Sequence, residues 1–223
     1  MGIMKTILFI VYYLSICCSW AIAQQDQAAK QILDKFAQKA QSSYPIKIGF
    51  EYTYESIIDN ESYSDTGELI IDGNKYYLII GESEIYCDGV TLWNHVVTAG
   101  EVYISDPENA MENDDFFLSN PENLFSFYDN DFKYRLTAEI EYLGEAYYNV
   151  DLFPIDLNKS YHTITMLIHQ NDYHLYSVET RGKQGVNHTI TISGYTPKYK
   201  VPKNQFQFDP AKYPEIEVID TRL

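Results

Sequence analysis

The stretch Asp72-Gly73-Asn74-Lys75-Tyr76-Tyr77-Leu78-Ile79-Ile80-Gly81-Glu82-Ser83, running on to Cys87-Asp88-Gly89-Val90-Thr91-Leu92-Trp93, decides how the chain is read. Asp-Gly dipeptides suit tight hairpin turns, because glycine takes positive φ without a Cβ clash. The flanking residues are β-branched or aromatic, as strands prefer. The segment therefore reads as two turns with one strand, Lys75 to Ser83, between them. Within Tyr76 to Ile80 no polar residue alternates, whereas an antiparallel strand with one solvated face should alternate. Both faces of this strand are expected to meet something other than bulk water, either a second layer of core or a cavity.

Working outward, the same logic parses the rest. Asp26 can cap a helix reaching about Ser42, with Ala29, Ile32, Leu33, Phe36, Ala37 and Ala40 at helical spacing. After Pro45 the period changes. Ile46, Ile48, Phe50, Tyr52 and Tyr54 alternate with Lys47, Gly49, Glu51, Thr53 and Glu55, the clearest strand of the chain. A polar loop, Asp59 to Asp65, then leads into a strand from Gly67 to Asp72. Beyond the opening stretch come strands at Thr91 to Val97 and Glu101 to Ser105, then an acidic loop holding Asp106, Glu108, Glu112, Asp114 and Asp115. Asn120-Pro121-Glu122 begins a short helix carrying Leu124, Phe125, Phe127 and Tyr128, a dense apolar load that could cover a sheet face. Strands resume at 132–142, 146–153, 161–169, 174–180 and 186–195 with short links, and a last short strand and tail follow Phe206. Short links between successive strands imply antiparallel meanders. The expected fold is mainly β with an α lid: about 11 strands, an N-terminal helix and a short lid helix, arranged as a large, strongly curved sheet or an unclosed antiparallel β-barrel.

The first 23 residues read as an export signal: Lys5, an apolar run from Ile7 to Ile16, and Ala21-Ile22-Ala23 as cleavage site. The run is short for a membrane span. Leu14 three residues before Cys17 would also fit a lipoprotein signal, against which Ile16 is bulky where such sites want a small residue. Residues 24–223 are then one domain. The full chain has 16 basic and 32 acidic residues. Removing the leader takes only Lys5 from these and leaves a net charge of −17, which opposes binding to nucleic acid or anionic surfaces. Cys87 would remain the sole cysteine, so no intramolecular disulfide can form.

Chemistry-bearing patterns are sparse. The five histidines, His95, His162, His169, His174 and His188, fall on different strands without metal-ligand spacing. The acidic loop lacks the pattern of a calcium loop. Cys87 has no base near it in sequence and reads as a small buried hydrophobe. Carboxylates are abundant, but abundance is not a pair held in contrasting environments. No catalytic residue, metal or cofactor is expected. The chain does hold 21 tyrosines. Their apolar rings and wet hydroxyls suit either half-buried strands or a cavity that is filled at some times and hydrated at others.

Three motifs are similar to those of the periplasmic lipoprotein carrier family, LolA. Asp88-Gly89 with Thr91-Leu92-Trp93 resembles that family's turn-and-strand signature. Phe206-Gln207-Phe208-Asp209-Pro210 followed by Val218-Ile219-Asp220-Thr221-Arg222 resembles its C-terminal pattern, and Leu152-Phe153-Pro154 sits where the family ends a strand in Leu-Thr-Pro. The resemblance implies an apolar cavity for lipoprotein acyl chains, with Phe50, Leu69, Tyr76, Leu78 and Trp93 on the concave sheet face and Leu124, Phe125 and Tyr128 in the lid. It implies a periplasmic, monomeric carrier that is not an enzyme. Its partners would be acylated lipoproteins or another amphiphilic lipid, an inner-membrane release complex and an outer-membrane acceptor. One departure stands out. The family places a lid-latching arginine after the second strand, where this chain has Asp72-Gly73-Asn74. A binding protein of the same fold for a glycolipid, polyprenyl lipid or pigment is the alternative, and a secreted β-rich hydrolase a further one.

Overall fold

The computed structural model describes residues 26–107, 121, 125 and 128–222. The proposed leader, most of the acidic loop, Leu124 and Phe127 lie outside the described residues.

Helix α1, Gln27–Ser43, begins at Asp26, whose Oδ1 accepts the Ala28 and Ala29 amides at 2.9 and 3.2 Å. That satisfies donors a helix start leaves unpaired. The predicted apolar positions, Ala29 to Ala40, form its buried side. The strands follow as β1 Ile46–Ser56, β2 Glu61–Asp72, β3 Lys75–Ile80, β4 Ser83–Cys87, β5 Leu92–Val96 and β6 Glu101–Ser105. A four-residue helix, α2 Tyr128–Asp131, precedes β7 Phe132–Tyr142, β8 Glu145–Pro154, β9 Tyr161–His169, β10 Leu175–Gly182, β11 Val186–Thr196 and β12 Glu217–Asp220.

The described residues form one 12-stranded sheet in the order β12-β6-β5-β4-β3-β2-β1-β11-β10-β9-β8-β7. The ends, β12 and β7, do not pair, so the barrel is unclosed as expected. Pairing is antiparallel except at β12, which runs parallel to β6. Two neighbouring pairs are not consecutive in the chain: β12 lies beside β6, and β1, paired on one side with β2, pairs on the other with β11 and so joins the 46–105 half to the 132–196 half.

Three boundaries differ from the sequence reading. Lys75 to Ser83 is not one strand: the chain folds back at Gly81, φ +54°, and residues 83–87 form β4 against β3. The apolar run ran straight through this two-residue hairpin, whose only signal was Gly81 itself. The polar segment 61–65 is strand, not loop, because β1 supplies it with a partner from Tyr52 to Ser56. The final strand lies at 217–220; Phe206 to Asp209 has no strand character, and a 3₁₀ turn at Pro210–Lys212 follows it.

The expectation for Tyr76 to Ile80 resolves through alternation. Tyr76 and Leu78 are buried on one face. Tyr77, on the other, packs on Tyr86 with ring centroids 4.7 Å apart, and Tyr86 packs on Phe208 at 5.8 Å. The C-terminal segment is therefore the second layer on the convex side, with Phe208 stacked on Tyr213 and Glu84 Oε2 accepting from the Tyr86 hydroxyl at 2.9 Å and the Tyr213 hydroxyl at 3.3 Å.

Candidate functional site

The concave face is built strand by strand from register. Phe50 opposes Gly67, Ile48 opposes Leu69, Leu69 opposes Leu78, and Ile71 opposes Tyr76. Residues directly opposite in an antiparallel pair share a face, so Phe50, Leu69, Tyr76 and Leu78 stand together. Each is at most 5% exposed. Gly67 is what admits Phe50: a Cβ there would lie 2.2 Å from Phe50 Cζ.

Trp93 departs from the concave set. It opposes Tyr86 and Ile104, and Tyr86 opposes Tyr77, so the register turns it to the convex side. Its neighbour Leu92 faces inward opposite Cys87. The cause is parity: side chains alternate along a strand, and one position's error in phase moves a residue to the other face.

Across this concave face lies α1, and over the helix lies the lid segment. The Phe125 ring sits 5.6 Å from Phe36 and 6.1 Å, edge-on, from Tyr44. Tyr128 donates from its hydroxyl to Asp34 Oδ1 on α1 at 3.1 Å and meets Tyr134 of β7 edge-on. Both lid residues are buried. Leu124 cannot be placed beside them, being outside the described residues. These contacts involve no arginine; the Asp72-Gly73-Asn74 turn instead accepts the Cys87 thiol on the Asn74 carbonyl. The helix start is tied to the sheet edge as well, because Asp26 Oδ2 accepts the amide of Leu136 on β7 at 3.0 Å. Burial works to raise the Asp26 pKa, but the Leu136, Ala29 and Ala28 amides outweigh it and hold the carboxyl below its ordinary value.

Where helix, lid and the β9–β10 turn meet, a cavity of about 10 Å³ remains, lined by Phe36, Ala40, Ile48 and Phe125 on one side and by His174, Ile192 and Tyr195 on the other. That is room for about one water molecule. His174 and Tyr195 face each other with ring centroids 4.1 Å apart. Burial depresses the His174 pKa, and the neighbouring Asp172 carboxylate, 3.0 Å from its Nδ1, opposes this only in part. Asp172 is itself lowered: burial raises it, and the His174 amide and both imidazoles more than offset that. These turn residues carried no sequence signal beyond two histidines with no evident partner.

Among the described residues no group of three or more His, Cys, Asp or Glu side chains could hold a metal ion, and no helix is long and apolar enough to cross a membrane.

No protein family model matches the sequence, and no curated protein matches it. Solved structures do resemble this one. An uncharacterised conserved protein of Thermus thermophilus superposes with a TM-score of 0.55 at 11% identity, over 87% of this chain and 99% of its own. LprF of Mycobacterium bovis gives 0.49 at 14% identity, over 80% and 98%. A LolA superfamily protein of Nitrosomonas europaea gives 0.43 at 15%, over 81% and 98%. At such identities the likeness is one of fold. The architecture expected from the sequence, an unclosed and almost wholly antiparallel sheet with an N-terminal helix, is the architecture this chain has.

Proposed function

We propose that the protein is an exported, non-enzymatic carrier that shelters an acyl chain between its concave sheet face and its lid. In its specific form the reading is that of a periplasmic carrier taking acylated lipoproteins from the inner membrane to the outer. The observation that supports it most is the way the concave face is closed. A broad apolar surface is covered by one alanine-rich helix and a short segment bearing Phe125 and Tyr128, not by a second sheet. Such a cover can move without dismantling the strand ladder.

A space of about 10 Å³ does not hold an acyl chain. Binding therefore requires the lid to open and the chain to take its place. The magnitudes allow it: each buried methylene is worth about 0.8 kcal/mol, while withdrawing one packed phenylalanine costs about 3–5 kcal/mol. About six methylenes offset Phe125, and a full acyl chain leaves a surplus. Displaced lid contacts that re-form once cargo departs would drive release.

Native mass spectrometry with triacylated and non-acylated forms of one lipopeptide tests the reading. One-to-one binding of the acylated form alone is expected, abolished by Leu78→Glu or Phe125→Glu in protein that remains folded. Full affinity in both variants would place the acyl site elsewhere. The absent arginine and the Tyr128–Asp34 contact in its stead favour a second reading with a different amphiphile, such as a glycolipid, polyprenyl lipid or pigment. Competition by those lipids against the lipopeptide separates the two.

A further inference from the structure

Leu175 and Gly182 are the first and last residues of β10, and two cavities lie at these opposite ends. The small apolar one touches Leu175 under the lid. The other, about 340 Å³, touches Gly182, between the loop after β8 and the turn after β10. Its floor is polar: Tyr161 and Thr180, each 4% exposed, and His188, whose Nδ1 shares a 2.7 Å hydrogen bond with the Tyr52 hydroxyl. Lys159 and Lys183 stand at its rim. Among the described residues no carboxylate lines it, in a chain with twice as many acidic as basic residues. Burial, aided by Asp131 and Asp156 nearby, pushes the Tyr161 phenol up to about 12, so the phenol itself stays protonated at neutral pH.

The crest around this pocket is aliphatic. Ile57 and Ile58 at the β1–β2 turn are 64% and 75% exposed; Ile155 and Leu157 in the β8–β9 loop are 53% and 79% exposed. Hydrogen bonds tie both tips to the β10–β11 turn. The Ile57 amide donates to the Gly185 carbonyl at 2.8 Å, the Lys183 amide to the Ser160 carbonyl at 2.8 Å, and Lys183 Nζ to the Leu157 carbonyl. Single exposed aliphatics are ordinary, whereas four large ones on two linked tips form a patch that calls for an occupant.

We propose that this end of the sheet docks on a phospholipid membrane: the four aliphatic side chains enter the interface, and the phosphate of one lipid headgroup enters the pocket against Lys159 and Lys183. Aliphatic tips flanked by long cationic side chains match the layering of a bilayer surface, apolar below and phosphate above. Projecting loop tips suit insertion, while a protein partner of ordinary size needs about 1,000 Å² of matched surface. The chain as a whole, at net −16, is repelled by anionic surfaces. Asp59 and Asp156 also lie on these two loops, so a zwitterionic phospholipid is the surface that fits. This inference stands apart from the carrier reading, because the lid is at the other end of β10.

Vesicle flotation tests it, using phosphatidylcholine vesicles and, as a phosphate-free neutral surface, digalactosyldiacylglycerol vesicles. The protein is expected to float with both, more strongly with phosphatidylcholine. The Ile57→Ser/Ile58→Ser and Ile155→Ser/Leu157→Ser pairs should each lower partitioning about tenfold on both surfaces. Lys159→Gln with Lys183→Gln should lower it about fivefold or more on phosphatidylcholine alone, and the corresponding arginine pair should restore it. Circular dichroism confirms that each variant is folded; the two serine pairs act on separate loops, so one suffices if the other unfolds. Absence of flotation, or serine variants that float like the parent, would overturn the proposal. Binding of inorganic phosphate in the pocket without flotation would make it a free-anion site, which also overturns the membrane assignment.

Discussion

The hydroxyl of Tyr128 donates to Asp34 Oδ1 at 3.1 Å, joining the lid segment to the middle of α1. Asp34 also receives Lys30 Nζ at 2.9 Å, one turn earlier on the same helix. No arginine takes part in this junction, and the Asp72-Gly73-Asn74 turn between β2 and β3 holds none. Tyr128→Phe removes the donor while keeping the ring against Tyr134. The expected loss is about 0.5–1 kcal/mol of stability, at the low end for a single hydrogen bond because Asp34 is partly solvated. Under the carrier reading, stopped-flow release of a fluorescent acyl probe should quicken by about two- to fivefold. A release rate equal to that of the parent would mean that the contact does not hold the lid.

Gly67 is the gap into which Phe50 fits. A Cβ there would stand 2.2 Å from Phe50 Cζ and 2.8 Å from the Ile79 carbonyl oxygen. The ring can rotate away, but the backbone oxygen of the paired strand cannot, so Gly67→Ala is expected to cost about 1–3 kcal/mol. The midpoint of chemical denaturation should fall accordingly. Gly73→Ala, where a Cβ meets nothing within 4 Å but φ is +65°, should cost about 1 kcal/mol from backbone strain alone.

Asp26 binds two amides of α1 and one of β7. Its folded pKa lies below the ordinary carboxyl value, so the folded state binds fewer protons than the unfolded state as the pH falls through that range. The stability it confers is present above about pH 4 and is lost as pH falls through its lowered folded value. Asp26→Ala should cost about 1–2 kcal/mol at pH 7. The difference from the parent protein should shrink below about pH 4, as measured by thermal melts across a pH series.

His174 is held below its ordinary value by burial. The unfolded chain therefore binds the proton first, and stability should decline as pH falls below about 6.5, down to and through the lowered folded value. Because this imidazole packs on Tyr195 at the small cavity, acidification should also increase binding of an environment-sensitive apolar dye. His174→Gln should flatten both responses between about pH 7 and 5. An unchanged slope in that variant would assign the acid sensitivity to other groups.

Period alone made much of the fold legible. The capped helix, the alternation from Ile46 to Glu55 and the turn dipeptides at Asp72-Gly73 and Asp88-Gly89 carry local physics that no distant contact overrides. Short links between successive strands imply the antiparallel meanders, which the sheet has. The family resemblance implies one face for Phe50, Leu69, Tyr76 and Leu78, and β1–β2–β3 pairing sets them on one face. Two features were not local. Trp93 faces outward because the register of β5 on β4 sets it opposite Tyr86, itself opposite Tyr77. Glu61 to Asp65 became strand because β1 extends far enough to pair with it. Polar composition could not reveal a partner supplied from across the turn.

What the sequence by itself determined, then, was the period of each segment and where most of the turns fall. Only the tertiary structure decided which residues meet: Tyr128 with Asp34, Asp26 with Leu136, and the Ile57 turn with Gly185. These partners lie far apart in the chain, and their contacts depend on the order of strands in the sheet. Pattern reports what a residue prefers to face; the closing of long loops decides which partner it finds there.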